Sequence, residues 1–241
     1  LVRERLTEIL MSYDYDHIRE CRAQLEAPEL PRRVFTGPRG TRFSMEIVSE
    51  TGIADILSDE ILEQDPASEW GVKEWVAEAV MYPGFVIACR NVDDGRAVGF
   101  LSFDTLVCIH GHLVTGEAAA ISVKLEPMTV YVTESDRGSG AGDAFIEVLA
   151  LQVPAILRRL ESMSGDQLRD LAVSEVSVEM EAECVSEDGS RFIRRAFVAC
   201  QRELASAPLA GAWPLCRMID DRVDYGDFGE EDSDVAACSS A

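Results

Sequence analysis

Positive charge is scarce in this chain. Lysine occurs only at Lys73 and Lys124, and the formal net charge is −22 over 241 residues. So acidic a surface repels phosphate-rich polymers, which argues against nucleic acid or an anionic membrane as a partner. A cationic partner would be attracted instead.

Long apolar runs and paired cysteine motifs are also missing. No stretch approaches the ~20 apolar residues of a membrane-spanning helix, and no secretory leader is recognisable, so we expect a cytoplasmic protein. The seven cysteines are scattered and contain no C-x-x-C pair, which predicts reduced core thiols rather than a disulfide framework or a zinc ribbon. With 47% apolar and 27% charged residues, the chain has the composition of a globular protein.

One stretch, MTVYVTESDRGSGAG, carries most of the functional signal. Met128–Val132 is apolar and β-branched, as in a strand, whereas Thr133–Asp136 is polar and ends it. The glycine-rich segment 137–142 then opens a long apolar helix. Backbone N–H groups at a helix N-terminus bind anions, and Gly140 and Gly142 would let a phosphate approach closely.

The spacing of this segment excludes two common nucleotide motifs. No lysine follows, as a G-x-x-x-x-G-K-[ST] phosphate loop requires, and the alternating glycines do not fit G-x-G-x-x-G. The pattern V-x-V-x-x-x-x-R-G-x-G-x-G, met from Val130 to Gly142, resembles the acyl-coenzyme A signature of the GNAT superfamily of N-acetyltransferases.

The resemblance implies an α/β (α+β) fold with a mixed, mostly antiparallel central sheet flanked by helices. It also implies acetyl-CoA as the acyl donor, with the pyrophosphate on loop N–H groups and the pantetheine arm paired to the preceding strand. No metal is expected. The implied coenzyme-binding residues are Val130, Tyr131, Val132, Arg137, Gly138, Ser139, Gly140, Ala141 and Gly142.

Patterns along the chain predict the elements around this stretch. We expect helices within 1–30, a connector over 28–42, a strand over 43–49, amphipathic helices over 53–64 and 69–81, and a hairpin pairing 85–90 with 97–104. The later elements are a strand over 118–132 with a bulge at Pro127, a helix from Asp143 that is kinked or broken at Pro154, a strand over 175–185, a helix after Ser190 and a short strand over 213–219. The predicted units are an N-terminal extension (1–42), the acyltransferase domain (43–220) and an acidic, disordered tail (221–241).

Glu126 is the predicted general base. In the histone-acetylating branch of the family, a glutamate lies eleven residues before the arginine or glutamine of the loop motif, a position that corresponds to Glu126 before Arg137. With strand periodicity it shares a face with Met128, Val130 and Val132, whose apolar surroundings would raise its pKa toward neutrality. The alternative is an exposed glutamate beside a proline.

The general acid is not evident. Many family members use a tyrosine on the helix that here begins after residue 189, but no tyrosine lies between Tyr131 and Tyr225. Cys200, Ser190 or water could take the role. Asp136 and Asp143 also depart from expectation, because carboxylates beside a pyrophosphate weaken its binding unless they cap the helix instead.

The acceptor is predicted from charge. Trp70 and Glu74 lie on the helix pair that lines the acceptor groove in this family, and Glu179 lies on the polar face of a later strand. A carboxylate beside an indole suits an ammonium group, although a solvated face and a core tryptophan are the alternative.

We therefore predict acetyl transfer to a primary amine of a cationic acceptor, either a small molecule or a protein, and leave a homodimer open. The rival interpretation is a non-catalytic acidic module of the same fold that docks a basic partner. A metal site at Cys108, His110 and His112 has the spacing of ligands, but Gly111 interrupts the strand and turn histidines are the favoured interpretation.

Overall fold

The computed structural model describes residues 21–24, 33–48, 51–64, 72–73, 75–76, 85–110, 119–167, 173–184, 186–206 and 216–225. Its strands are β1 (Cys21–Gln24), β2 (Arg33–Thr36), β3 (Arg42–Val48), β4 (Phe85–Asn91), β5 (Ala97–His110), β6 (Ala119–Val132), β7 (Val173–Glu183) and β8 (Cys216–Asp224). Its helices are α1 (Thr51–Gln64), α2 (Ala141–Gln167) and α3 (Glu187–Ser206), and a 3₁₀ turn at Glu134–Asp136 separates β6 from α2.

The strands form one mixed sheet in the order β2-β3-β4-β5-β6-β7-β8, with β1 paired to the last part of β5. The neighbours from β1 to β6 are antiparallel. In contrast, β6, β7 and β8 are parallel, because α2 and α3 each return the chain across the sheet. The predicted mixed, mostly antiparallel sheet flanked by helices is therefore confirmed.

Two apolar clusters cover the two faces of the sheet. The larger one lies on the face covered by α2 and α3, which we call the α2/α3 face, and includes Phe43, Phe103 and Phe145. The smaller one lies on the opposite face, the α1 face, where Leu57 and Ile61 of α1 pack on the sheet. The site described below lies where these two faces meet the end of β6.

Several local predictions are confirmed. The β4–β5 hairpin pairs Phe85 with Phe103, and its turn contains Gly95 at φ 75°. β5 continues beyond the predicted hairpin to His110, and α1 ends at Gln64 as expected. The helix predicted after Ser190 is α3, and its apolar stripe at helical spacing is buried, with the members Phe192, Ala196, Cys200 and Leu204.

The N-terminal predictions were wrong where the structure describes them. Residues 21–24 form β1 rather than a helix, because they pair with β5 beyond the point where β4 ends. The predicted connector 28–42 contains β2, which pairs with β3. Strand pairing is decided by partners far along the chain, so the helical spacing was misleading. The other residues of 1–32 lie outside the described ranges, and the domain boundaries remain predictions.

Two C-terminal predictions also need correction. α2 runs through Pro154 as one helix, so of the two predicted outcomes, a kink or a break, the break is absent; buried residues on both sides of the proline hold the helix on the sheet. β8 extends to Asp224, so the predicted disordered tail begins with a strand, and Tyr225 after it packs against the core. No described helix is both long and apolar enough to span a membrane.

Candidate functional site

The glycine loop, Arg137–Gly142, ends in the first turn of α2. Gly138 and Gly140 have φ values of 73° and 100°, a region that side chains disfavour. The N–H of Ala144 donates to the Gly140 carbonyl at 3.1 Å, which is the first bond of the helix. The N–H groups just before Ala144 therefore have no helical acceptor, and they lie at the positive end of the helix dipole. This arrangement suits an anion.

The turn between β2 and β3 packs directly on the glycine loop. A Cβ added to Gly140 would lie 2.7 Å from Cδ of Pro38, and one added to Gly37 would overlap the Ser139 carbonyl oxygen. Glycine is therefore required on both sides of this contact. Gly142 differs, because a Cβ there would meet no atom within 4 Å, so its outer side is open to a ligand.

Two arginines bring positive charge to the glycine loop. Arg137 is exposed, and its Nε donates to the Val132 carbonyl at 3.3 Å, which places the side chain beside the end of β6. Arg195 of α3 forms an ion pair with Asp143. Because a guanidinium accompanies the Asp143 carboxylate, the repulsion expected between this residue and a bound anion is offset.

Asp136 turns away from the anion site. Its side chain is 8% exposed and accepts two hydrogen bonds from Arg96, at 2.5 and 2.9 Å, and one from Thr133 Oγ1 at 2.7 Å. Burial raises the pKa of the Asp136 carboxyl, but the hydrogen bonds from Arg96, Thr133 and Ser135 outweigh it and leave the pKa below its ordinary value. The carboxylate therefore fixes the base of the glycine loop instead of opposing a phosphate.

β6 loses one of its two neighbours before it reaches the glycine loop. Its ladder with β7 ends where Leu125 pairs with Met180, whereas its ladder with β5 continues to Val132. The Thr133 N–H donates to the Val98 carbonyl of β5 at 2.9 Å. Because successive residues of a strand point their main-chain groups to opposite sides, those of Val130 and Val132 point away from β5, toward the edge that β7 has left.

A β-bulge interrupts the second half of β6. Ser102 pairs with Thr129 and Phe103 pairs with Pro127, so Met128 is the extra residue. Met128 is 51% exposed. The bulge predicted beside Pro127 is therefore present, and it shifts the alternation of the strand by one residue.

This shift corrects the predicted surroundings of Glu126. Before the bulge, Leu125 belongs to the α2/α3 face; after it, Val130 and Val132 pack on that face and Tyr131 on the α1 face. Half-buried Glu126, next to Leu125, therefore lies on the α1 face with Tyr131, not with Val130 and Val132. The predicted apolar wall around its carboxylate was wrong, because the sequence pattern was read across the bulge.

Glu126 lies instead in a charged part of the α1 face. Asp104 of β5 is its partner in the β5–β6 ladder, and Lys124 lies two residues before it on the same face. Lys124 is 7% exposed, and its Nζ lies 3.4 Å from Glu181 of β7. Glu179, which pairs with Lys124 in register and accepts a hydrogen bond from Ser177 at 3.3 Å, is half-buried. The sequence did not single out Lys124, whose signal is a cation between the apolar residues Val123 and Leu125 of the strand.

The predicted acceptor helix is described only in part. Residues 72, 73, 75 and 76 are helical, Val72 and Val76 are buried against the α1 face, and Trp75 is 37% exposed. The side chain of Lys73 forms an ion pair of 2.8 Å with Asp59 of α1. Residues 70 and 74, predicted as acceptor-binding, lie outside the described part of the chain.

The structure changes the list of possible proton donors. Cys200 is fully buried on the α2/α3 face, and burial raises the pKa of its thiol to about 12. Ser190 is buried too, with Arg194 Nε 3.5 Å from its oxygen. Tyr225, which was assigned to the tail, instead lies under the guanidinium of Arg194, 4.2 Å from the ring centroid. β8 thus brings a tyrosine to the helix where the family resemblance implies one.

Two of the three residues of the alternative metal site lie in the described part of the chain. Cys108 and His110 are in β5, and residue 112 is outside the described ranges. Among the described residues, no group of three or more histidine, cysteine, aspartate or glutamate side chains could hold a metal ion.

Neither a protein-family model nor a curated protein matches the sequence. Among solved structures, a ribosomal-protein-alanine N-acetyltransferase from Brucella melitensis biovar Abortus 2308 is 21% identical, with a TM-score of 0.33 over 64% of this chain and 89% of that one. A Trypanosoma brucei acetyltransferase is 18% identical, with a TM-score of 0.28 over 64% and 89%.

An aminoglycoside N-acetyltransferase, AAC(6')-Iy in complex with CoA, is 16% identical, with a TM-score of 0.31 over 67% of this chain and 89% of that one. All three structures are named as acetyltransferases. Because the TM-scores lie below 0.5, function has to be argued from this chain's own residues.

Proposed function

We propose that this protein transfers an acetyl group from acetyl-CoA to a primary amine of a cationic acceptor, by direct attack of the amine in a ternary complex. The supporting observation is the early end of the β6–β7 ladder at Leu125 and Met180, while β6 continues beside β5 to the glycine loop. A strand edge that leads into an anion-binding helix terminus matches a ligand with an amide-bearing arm and a pyrophosphate.

The coenzyme would be held mainly by the backbone. The main-chain groups of Val130 and Val132 point to the open edge of β6, where the amides of the pantetheine arm can pair as an added strand would. The pyrophosphate would accept hydrogen bonds from the first N–H groups of α2, with Arg137 beside them. A main-chain N–H on this edge would stabilise the negative charge that develops on the thioester oxygen.

The acceptor amine would approach on the α1 face, where Glu126 lies. Asp104 of β5 pairs with Glu126, and Glu179 lies on β7, the other neighbour of β6. These carboxylates would attract an ammonium group to this part of the α1 face. Glu126 would accept a proton from the ammonium, so that the neutral nitrogen can attack the thioester carbonyl carbon. The C–S bond then breaks, the nitrogen of the new amide releases its second proton to water, and the thiolate takes up a proton.

Tyr225 is the candidate donor of that last proton. It follows β8, packs against the core and lies against Arg194 of α3, and the adjacent Arg195 reaches Asp143 at the start of α2. Of the two tyrosines in the described part of the chain, Tyr131 and Tyr225, it is the one that lies against α3. Replacing Tyr225 by phenylalanine should lower turnover without weakening coenzyme binding.

Calorimetric titration with CoA and acetyl-CoA tests the proposal. Gly142→Trp should abolish binding, because its side chain enters the open space beside the loop, where no protein atom lies within 4 Å of a Cβ. Gly142→Ala is the control: a Cβ at this second residue of α2 meets no protein atom within 4 Å, and a helix favours alanine over glycine by up to about 0.5–1 kcal/mol, so this variant should be folded and at least as stable. Failure of the unaltered protein to bind CoA at any concentration up to about 1 mM, roughly the weakest useful affinity, would overturn the proposal.

A further inference from the structure

We infer that Arg96 is a positioning residue that fixes the glycine loop through Asp136 and links that loop to the end of α1 through Gln64. The inference rests on the proposed function, because it concerns how the coenzyme loop is held. Arg96 is in the β4–β5 hairpin, and none of the sequence motifs points to it. Its guanidinium joins three elements that are far apart in the chain.

On the loop side, Arg96 holds the residue on which the loop is built. Its Nη1 and Nη2 lie 2.5 and 2.9 Å from the two carboxylate oxygens of Asp136. The Asp136 carbonyl in turn accepts hydrogen bonds from the N–H of Ser139, at 3.1 Å, and from the Ser139 hydroxyl. A displacement of Asp136 would therefore move the residue between the two glycines that have positive φ.

On the helix side, Arg96 contacts the last residue of α1. Gln64 Oε1 accepts a hydrogen bond from Arg96 Nη1 at 2.6 Å, and Gln64 Nε2 donates to the carbonyl oxygens of Glu60 and Ala97 at 2.9 and 3.1 Å. Hydrogen bonds to both its oxygen and its nitrogen therefore fix the orientation of the Gln64 side-chain amide. Since α1 covers the face on which the acceptor would bind, a shift of α1 is transmitted to the base of the coenzyme loop.

The energetic reason lies in the burial of Asp136. Its side chain is 8% exposed, whereas that of Arg96 is 32% exposed. Removing Arg96 leaves a buried carboxylate without its cation, which is far costlier than the loss of a surface ion pair. The loop would relax to hydrate the carboxylate, and the N–H groups of α2 would lose their alignment with a bound phosphate.

The electrostatics give a pH signature. The pKa of the Asp136 carboxyl is already below its ordinary value of 3.8, so its stabilising contribution is complete above about pH 4 and is lost as the pH falls through the lower folded value. Between pH 5 and 8, coenzyme affinity should therefore show no titration of this pair. Asp136→Asn should weaken binding equally across that range.

The experiment measures two quantities: CoA affinity by calorimetry, and hydrogen exchange of the loop amides 137–142 in the ligand-free protein. Arg96→Ala should weaken CoA binding about 10- to 100-fold, less than the full cost of breaking a buried pair because Arg96 itself is 32% exposed, and should accelerate exchange in the loop. Arg96→Lys should not restore binding, because lysine cannot form the two parallel bonds. Gln64→Met should give a smaller effect in the same direction.

Two other arginines provide matched controls. Arg90, whose side chain is 18% exposed, pairs with Glu60 of α1 and with Glu46, whose side chains are 36% and 45% exposed, so Arg90→Ala removes an arginine on the same face without leaving a buried carboxylate. Arg42→Ala removes an exposed pair with Asp93 in the same hairpin. Both should leave CoA affinity within about twofold, a difference well under 1 kcal/mol, at temperatures where the variants are folded.

The inference is overturned if Arg96→Ala and Arg90→Ala have the same CoA affinity and the same loop exchange. Its failure is distinguishable from failure of the proposed function. If the unaltered protein does not bind CoA, the acetyltransferase proposal falls, but exchange in the ligand-free loop still shows whether Arg96 fixes its conformation. If CoA binds and the loop is unaffected by Arg96→Ala, only the positioning role is wrong.

Discussion

The two halves of β6 share one strand but are built for different purposes. The first half, up to Leu125, lies between β5 and β7, and its inward residues Ile121, Val123 and Leu125 are at most 1% exposed. The second half, up to Val132, has β5 alone as a neighbouring strand within the described part of the chain. One strand therefore supplies both a buried frame and an edge without a second partner among the described strands, which is the edge proposed to bind the coenzyme, because β7 leaves it early.

The bulge at Met128 marks the change between the halves. It allows both halves to remain paired with β5 while it exchanges the faces to which alternate residues point. Glu126 is thereby left on the α1 face, and Val130 and Val132 turn to the other. The proposed general base and the proposed coenzyme-binding edge are thus neighbours in sequence without sharing a face.

Leu125→Ala should produce the largest effect on stability. This residue is fully buried and is the last of β6 to pair with β7. Truncation of a buried leucine costs about 2–5 kcal/mol, which urea unfolding would measure. Met128→Ala, in the exposed bulge, should change the free energy of unfolding by less than about 0.5 kcal/mol. Equal losses in the two variants would contradict the division of β6 into frame and edge.

Glu126→Gln should produce the largest effect on turnover. Removal of a general base lowers the rate about 100-fold or more, whereas CoA affinity should be unchanged because the amide preserves the shape of the side chain. Thiol release from acetyl-CoA with a panel of spermidine, an aminoglycoside and a lysine-containing peptide would measure it. Glu147→Gln, on an exposed site of α2, is the control.

The same variant separates the enzyme from its rival. A non-catalytic acidic module would bind a basic partner equally well with glutamate or glutamine at this single position. If no amine in the panel releases thiol faster than water does, and Glu126→Gln changes nothing, the module becomes the better interpretation. The −22 net charge is compatible with either function.

Sequence was informative where the signal is local. Three features depend on residues that are close together in the sequence: the glycine loop, the β4–β5 hairpin with its Asp-Gly turn, and the apolar stripe of α3. Their conformations follow from backbone sterics and from period-3.6 burial, which adjacent letters specify. The loop also carried the prediction of acetyl-CoA, because anion binding at a helix terminus is a local property.

Sequence failed where a distant partner decides. Glu126 was assigned to the wrong face because one extra residue at Met128 reverses strand alternation, and periodicity alone could not place that residue. Tyr225 was assigned to a disordered tail. The strand before it, β8, is stabilised by pairing with β7, and the local sequence does not show that pairing. The Arg96–Asp136 pair joins residues 40 positions apart, and the local sequence around either residue does not predict the other.

Val132→Pro should have the smallest of these effects, and it tests the binding edge most directly. The Val132 N–H points away from β5, so proline removes a donor without breaking the ladder, and residue 131 is already extended as a residue before proline must be. Loss of one backbone hydrogen bond to the pantetheine arm should weaken CoA binding about 5- to 10-fold. Val132→Thr keeps the N–H and nearly the same side-chain shape, so calorimetry should show unchanged affinity. If the proline and threonine variants bind CoA equally, the open edge of β6 is not where the coenzyme lies, even if the glycine loop holds its phosphates.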